Sequence, residues 1–321
     1  MNLTRQDNRA KLFKDVISGV VFSSIIIFVT LFAPVLGFFM AVILPMPVLY
    51  YRLKLGRLPG IIIASGVLLV TVMVIGGLSI DILFYAALIM IGLVLGESLE
   101  QHLSIEKSLF FTVFSTVFLS AFLFFIYAGS AGSSVLEMVT SYVAANLKLT
   151  LSIYQDIGIP QENIELIDRS IDTIKYVLVR LVPALMITML TFITWINILF
   201  IKRILNRKGI YLKTLENLNR WKAPEKLVWS AIICGVLLML PWTGVKIAAL
   251  NCILILMPVY FFQGIAIMSF IFEKKGFPPV LRLFIYTIIA IQQIFILLIV
   301  GIGFFDTWLN FRKIEVMTDH E

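Results

Sequence analysis

The sequence predicts an all-α, polytopic transmembrane helical bundle of about nine spans, or eight if one weak span returns, with a helical hairpin on the extracytoplasmic side. Three observations carry that prediction. Of the 321 residues, 60% are hydrophobic and 14% charged, with a mean hydropathy of +1.01, whereas a soluble domain needs a charged surface. Apolar runs of about 20 residues, enough to cross the hydrocarbon core as a helix, recur along the chain. Nearly all the charge sits in the short connections between those runs. A β-barrel would instead show short segments of alternating polarity.

Taken in order, the apolar runs place spans near 13–32, 34–51, 60–76, 79–96, 108–128, 176–201, 227–241, 246–272 and 283–304. All belong to a single membrane domain, residues 1–321. The first run passes through Pro34 into the second without a small-residue cleavage site, so the first span is expected to remain. Arg5, Arg9, Lys11 and Lys14 precede span one, and Arg52, Lys54 and Arg57 follow span two. Eight Lys and Arg side chains lie between 202 and 226. By the positive-inside rule these segments, with Lys274, Lys275 and Arg282, face the cytosol, as does the N-terminus. Nine spans leave Phe311-Arg312-Lys313 outside, where basic residues are disfavoured, and eight crossings would repair this. The weakest spans are the second, interrupted by Pro45 and Pro47, and the seventh, which meets Pro241-Trp242-Thr243-Gly244. Either is a candidate half-helix that enters and returns, which lipid tolerates only where the backbone faces protein or water.

Two pieces lie outside the spans. Residues 129–175 carry six acidic and three basic side chains and read as an extracytoplasmic hairpin. Val135, Val139, Tyr142, Val143 and Leu147 mark its first arm. Ile164, Ile167, Ile171, Ile174 and Leu178 recur at spacings of three and four on its second, after Pro160 at a first helical position. The second arm should therefore run straight into the sixth span, with the two apolar stripes packed together as a cap. On the cytosolic side 202–226 forms a basic amphipathic loop. In it, 211–222 is predicted to be an interfacial helix, with Tyr211, Leu215 and Leu218 on one face, held partly by anionic lipid.

The catalytic classes find no support. The two cysteines, Cys234 and Cys252, lie in apolar runs and predict neither a disulfide nor a thiolate metal site. Only two histidines occur, His102 and His320. Zinc-protease, nucleophile-elbow and phosphate-loop patterns are all missing, and no metal or cofactor is expected. The net charge of +7 follows from the positive-inside bias, and no module of basic and stacking aromatic residues points to nucleic acid.

Polar groups inside spans are costly, and so mark candidate sites. They are Asp81, Arg180, Lys246, Asn251, Gln263, Gln292 and Gln293. Asp81, Arg180 and Lys246 share an outer depth. They either hold an anionic or zwitterionic solute, or snorkel to headgroups and pair structurally. Gln292 and Gln293, adjacent in mid-span, differ by about 100° around a helix, so at least one faces protein. Either they bind a solute or they join helices. Gly92 with Gly96, Gly60 with Ala64, and Gly19 with Ser23 form small-xxx-small pairs that permit close helix approach. Pro45 and Pro47 free backbone carbonyls, as helix breaks at solute sites do, or simply end span two.

Three stretches carry a family resemblance: Leu44-Pro-Met-Pro47 with its basic loop, Tyr260-Phe-Phe-Gln-Gly-Ile-Ala-Ile-Met-Ser-Phe270, and Gly303-Phe-Phe-Asp-Thr-Trp-Leu-Asn-Phe-Arg-Lys313. The chain resembles the YybS-like family of bacterial predicted membrane proteins, which is distantly similar to the S components of energy-coupling-factor transporters. That similarity implies a location in the bacterial cytoplasmic membrane and a bundle that captures a small solute outside and pairs with an energising module. In the terminal block Asp306, Trp308, Asn310 and Arg312 form a C-terminal motif. By helical spacing Asp306 faces Asn310 and not Arg312.

Two functional readings follow. One is an S-component-like solute-binding or transport protein, with a cavity near Asp81, Arg180, Lys246 and Gln293 under the 129–175 cap and energy supplied by a partner protein. The other is a non-transporting membrane assembly or interaction factor whose cap or 202–226 loop binds another protein. An enzyme is not expected, because paired acid, base or metal groups at workable spacing are missing. The expected partners are thus the lipid bilayer, a small solute, and an energising or assembly protein.

Overall fold

The computed structural model describes residues 3–77 and 79–312, with side chains from Ala10 onward except Pro34. Among the described residues, all regular structure is helical. In chain order the helices are α1 (Leu3–Phe32), α2 (Pro34–Ile43), α3 (Pro45–Leu55), α4 (Arg57–Ile75), α5 (Ile80–Glu100), α6 (Ile105–Ser130), α7 (Val135–Asp156), α8 (Gln161–Arg207), α9 (Lys226–Leu237), α10 (Thr243–Lys274), α11 (Pro279–Ile291) and α12 (Gln293–Leu309). Seven helical stretches are long and apolar enough to cross a membrane, and the pair α11–α12 makes an eighth if counted as one span. The shortfall against nine lies at 227–241. There α9 has 12 residues, about 18 Å of helix against a core of about 30 Å. A turn at 238–240 and Pro241 stop it.

The chain folds into two compact units: residues 1–180 with 189–215, and residues 181–188 with 216–321. In the first, α1 ends at Ala33, held at φ −129° and ψ 83°, because a residue before proline avoids the helical region. Pro45 and Pro47 act differently. Leu44 keeps helical angles (φ −53°, ψ −38°), so α2 and α3 make one span, Val35–Leu55, and not the half-helix considered from the sequence. The disturbed turn finds an outside donor: Asn197 of α8 gives its Nδ2 proton to the Val42 carbonyl (2.8 Å) and to Ile193 (2.8 Å).

The glycine pairs have a specific task here. A Cβ on Gly92 would meet the Pro45 carbonyl at 2.6 Å, and one on Gly60 or Gly96 would meet the Arg52 stem at 2.6 Å. These glycines therefore let α4 and α5 close around Arg52. On α6, Ser108, Thr112, Thr116 and Ser120 are all buried. Their four-residue spacing forms a stripe of small side chains of the sort that lets spans approach.

The 129–175 connection begins with a capping box. The Ser134 hydroxyl accepts the Glu137 N–H, and the Glu137 carboxylate accepts the Ser134 N–H. The Ser134 N–H and then the Ser134 side chain, both acting on the carboxylate, hold the Glu137 carboxyl below its ordinary range. After a turn through Gly158 (φ 75°), α8 is continuous for 47 residues, about 70 Å, with Pro183 inside it. Of the two predicted stripes, Val143 and Ile164 are buried and Tyr142 is exposed.

In the second unit α9 packs on α10 through Val228, Leu256 and Tyr260. From α8, Thr188 donates to the Leu254 carbonyl (2.7 Å). Gly264 and Gly303 bring the backbones of α10 and α12 together: a Cβ on the first would strike the Ile299 carbonyl, and on the second the Tyr260 carbonyl. Arg282 closes the C-terminal end of α10, donating to the carbonyls of Phe277 (2.8 Å) and Phe272 (3.2 Å). The axes of α11 and α12 then bend by 106°.

The segment predicted as an interfacial helix, 211–222, contains only two short 3₁₀ turns, Lys213–Leu215 and Leu218–Arg220. Tyr211 is exposed, while Leu215 and Leu218 are buried. Distant side chains claim backbone groups at the end of this stretch. Gln263 takes the Ala223 N–H, and Arg312 takes the carbonyls of Asn219 and Trp221.

Candidate functional site

The candidate residues divide between the units. Asp81 and Arg180 belong to the first and are exposed. Arg180 lies over the ring of Tyr176, 3.4 Å from its centroid, and donates to the Tyr176 carbonyl (3.0 Å). Its charge is thus folded back on its own helix. Lys246, Asn251, Gln263, Gln292 and Gln293 belong to the second. Lys246 is exposed on the first turn of α10, and Asn251 donates to the Ile247 carbonyl (2.8 Å) of its own helix.

Gln263 is spent on structure. It is 1% exposed; its Nε2 donates to Asp306 Oδ2 (3.2 Å) and its Oε1 accepts the Ala223 N–H (3.2 Å). Asp306 Oδ2 also accepts from Arg312 Nη2 (2.8 Å), and Oδ1 accepts the Phe311 N–H (3.0 Å). Arg312 Nη1 donates to the carbonyls of Trp221 (2.9 Å) and Asn219 (3.3 Å). Helical spacing separated Asp306 from Arg312 and paired it with Asn310, and here the expectation fails. α12 stops at Leu309, and Asn310 adopts the left-handed conformation (φ 40°, ψ 60°), its N–H bonding the Asp306 carbonyl. Asparagine is among the few residues other than glycine that visit this region routinely. The chain therefore reverses, and Arg312 comes back onto Asp306. Trp308 stays exposed, its ring 5.3 Å from that of Phe304.

The glutamine pair stands at the bend. Gln292 is extended (φ −99°, ψ 111°), ending α11 and preceding α12. Both side chains are exposed, and neither amide makes a hydrogen bond among the described residues. Helix ends leave N–H and C=O groups without intrahelical partners. At the bend itself the Gln292 N–H bonds the Ile288 carbonyl (2.9 Å) and its carbonyl accepts the Phe295 N–H (3.0 Å), so the uncommitted groups are the two side-chain amides.

Arg52 and its partners escaped the sequence reading. Placed by sequence in a basic loop, Arg52 is 1% exposed and pairs through Nη2 with Glu97 and with Glu100 (2.6 Å). Glu97 also receives Arg57, through Nε at 3.0 Å, and Gln101 at 2.8 Å. The available signal was the combination of Gly92, Gly96 and Glu97, small residues leading to a carboxylate opposite a basic turn.

A family model described as a predicted membrane protein (DUF2232) matches residues 21–307. The chain belongs to the DUF2232 family. No curated protein and no solved structure matches it. The family description, the apolar helices and the hydropathy agree on an integral membrane protein of this class. Most of the architecture of this DUF2232 member, from the latter part of α1 to the Asp306 end of α12, falls inside the matched region. The Arg52–Glu97 and Gln263–Asp306 pairs both lie within that region.

Proposed function

We propose that this DUF2232 protein captures a small polar solute in the cytoplasmic membrane of a bacterium, in the manner of an S component. It receives the solute at the bend between α11 and α12 and draws energy from a partner protein. The supporting observation is the 106° break at Gln292, with two exposed, uncommitted glutamine amides inside an otherwise apolar helical pair. Irregular backbone at membrane depth persists only where protein or a polar cavity covers it, and broken helices are the recurrent solute-binding element of transporters. The reading contains no catalytic step. The exposed Tyr142, Leu149 and Ile153 on α7 favour the second reading, an interaction factor whose partner covers the connection before the sixth span.

The same reading takes an even number of crossings. Asn219 donates to Glu273 at the C-terminal end of α10, and Arg312 donates to the carbonyls of Asn219 and Trp221. Those contacts support one membrane face for the end of α10, the 217–223 segment and the tail. α9 rises from that face and α10 returns to it, so α9–α10 as a whole and α11–α12 as a whole each begin and end there. With the basic segments inside, both chain ends are cytosolic, and Arg312 no longer breaks the positive-inside rule. A fluorescent reporter that folds only in the cytosol, fused after Glu321, is expected to be bright, and a phosphatase active only outside is expected to be silent. The opposite pattern would overturn the topology.

Thermal unfolding of the detergent-purified protein against vitamins, nucleobases and amino acids tests capture itself. A binder of the folded state at 100 times its Kd adds about 2.7 kcal/mol. The expected result is a reproducible shift that Gln292→Leu with Gln293→Leu abolishes. No shift across the panel, with a protein recovered by cross-linking to α7, would transfer the assignment to the interaction factor.

A further inference from the structure

We propose that the C-terminal end of α8 carries a binding site for the phosphodiester headgroup of an anionic phospholipid. A groove of about 410 Å³ is lined by Leu199, Lys202, Arg203, Asn206 and Arg207. Arg203, Asn206 and Arg207 are exposed, and among the described residues neither guanidinium has an ion-pair or hydrogen-bond partner. Their neighbour Lys208 is engaged, donating to the Tyr50 hydroxyl (2.6 Å) and lying 4.7 Å from that ring's centroid.

Two like charges one helical turn apart repel, and an anion between them converts that repulsion into attraction. Arginine forks match phosphate oxygens bidentately and carry less hydration than an ammonium, and the Asn206 amide adds a donor on the same face. The position selects the source of the phosphate. Leu199 and Phe200, both exposed, immediately precede the cations, at the foot of the apolar stretch of α8. A ligand that meets both carries an acyl chain and a phosphate together. A soluble phosphate would leave Leu199 and Phe200 uncovered, and a zwitterionic lipid would bring its own cation to the two arginines. The site goes beyond solute capture at the α11–α12 bend, since its residues and ligand are different.

The test uses the full chain in nanodiscs of phosphatidylcholine, with and without a photoactivatable phosphatidylglycerol. Cross-linked peptides are mapped by mass spectrometry, and competition is run with unlabelled lipids. The expected result is labelling within 199–207 that unlabelled phosphatidylglycerol displaces, while phosphatidylcholine and inorganic phosphate do not. With each basic contact at an anionic surface worth about a five-fold change in affinity, Arg203→Ala with Arg207→Ala weakens displacement by roughly 30-fold. Arg169→Ala, on the first part of α8, leaves it unchanged. Labelling spread evenly over the spans, equal displacement by phosphatidylcholine, or displacement by inorganic phosphate alone would overturn the proposal. The mapping in the unaltered protein decides the matter even if the double variant does not fold.

Discussion

Arg312→Ala is expected to destabilise the protein by about 3–5 kcal/mol, the cost of removing one partner from a buried ion pair. Asp306 is 1% and Arg312 3% exposed, so the carboxylate left behind keeps only the Phe311 N–H and the Gln263 amide. The carbonyls of Asn219 and Trp221 lose their donor at the same moment. The loss should therefore appear both as a lowered melting temperature and as a change in the emission of Trp221, which is buried. Replacing Asp306 and Arg312 together by leucine should recover much of the loss, because an apolar pair of similar volume avoids the desolvation of both ions. A single variant within about 0.5 kcal/mol of the parent, the range of an ordinary surface change, would mean that the tail is not anchored in this way.

Gly303→Val is expected to cost about 3 kcal/mol, the upper end of the overpacking range, and Gly301→Ala almost nothing. The two glycines lie two residues apart on α12, yet a Cβ at 303 would run into the Tyr260 carbonyl and sit 2.9 Å from the Gly264 nitrogen, while one at 301 meets no atom within 4 Å. Backbone cannot step aside as a side-chain tip can. Gly301→Ala can even stabilise, since alanine in a helix interior is favoured over glycine by up to about 1 kcal/mol. Melting curves of the two variants in one detergent check the pair. Equal behaviour would show that the α10–α12 contact does not depend on the absence of a side chain at 303.

The helical bundle was legible from hydropathy alone, because a lipid solvent leaves an apolar run of sufficient length few alternatives to a helix. The first six spans and the unbroken run of the Ile164–Leu178 stripe into the sixth were readable for the same reason. What could not be read was the pairing of charges. Periodicity reports neighbours on one helix, and so excluded Asp306–Arg312, which depends on a left-handed residue at 310. It also put Arg52 in a loop, because the carboxylates that permit its burial, Glu97 and Glu100, come from another helix. The 211–222 segment had the spacing of an amphipathic helix, but backbone groups at its end go to Gln263 and Arg312, far along the chain. Gln263 was legible as an intramembrane polar group without being legible as an already satisfied one. Gln292 and Gln293 were noticed as a pair, but the bend beneath them lacks the proline or glycine that usually announces one.

The unbroken length of α8 has a mechanical consequence. A rod of about 70 Å pivoting at its middle moves each end by about 3 Å for a tilt of only 5°. A load applied near Gln161 would thus be carried along the helix itself as far as Pro183, and on to Arg203 and Arg207 only to the extent that this joint stays stiff. Pro183, near the middle of the rod, is a soft point, because a backbone hydrogen bond is missing there. Stiffness on either side of that residue would confine bending there, so the transmitted stroke depends on one joint.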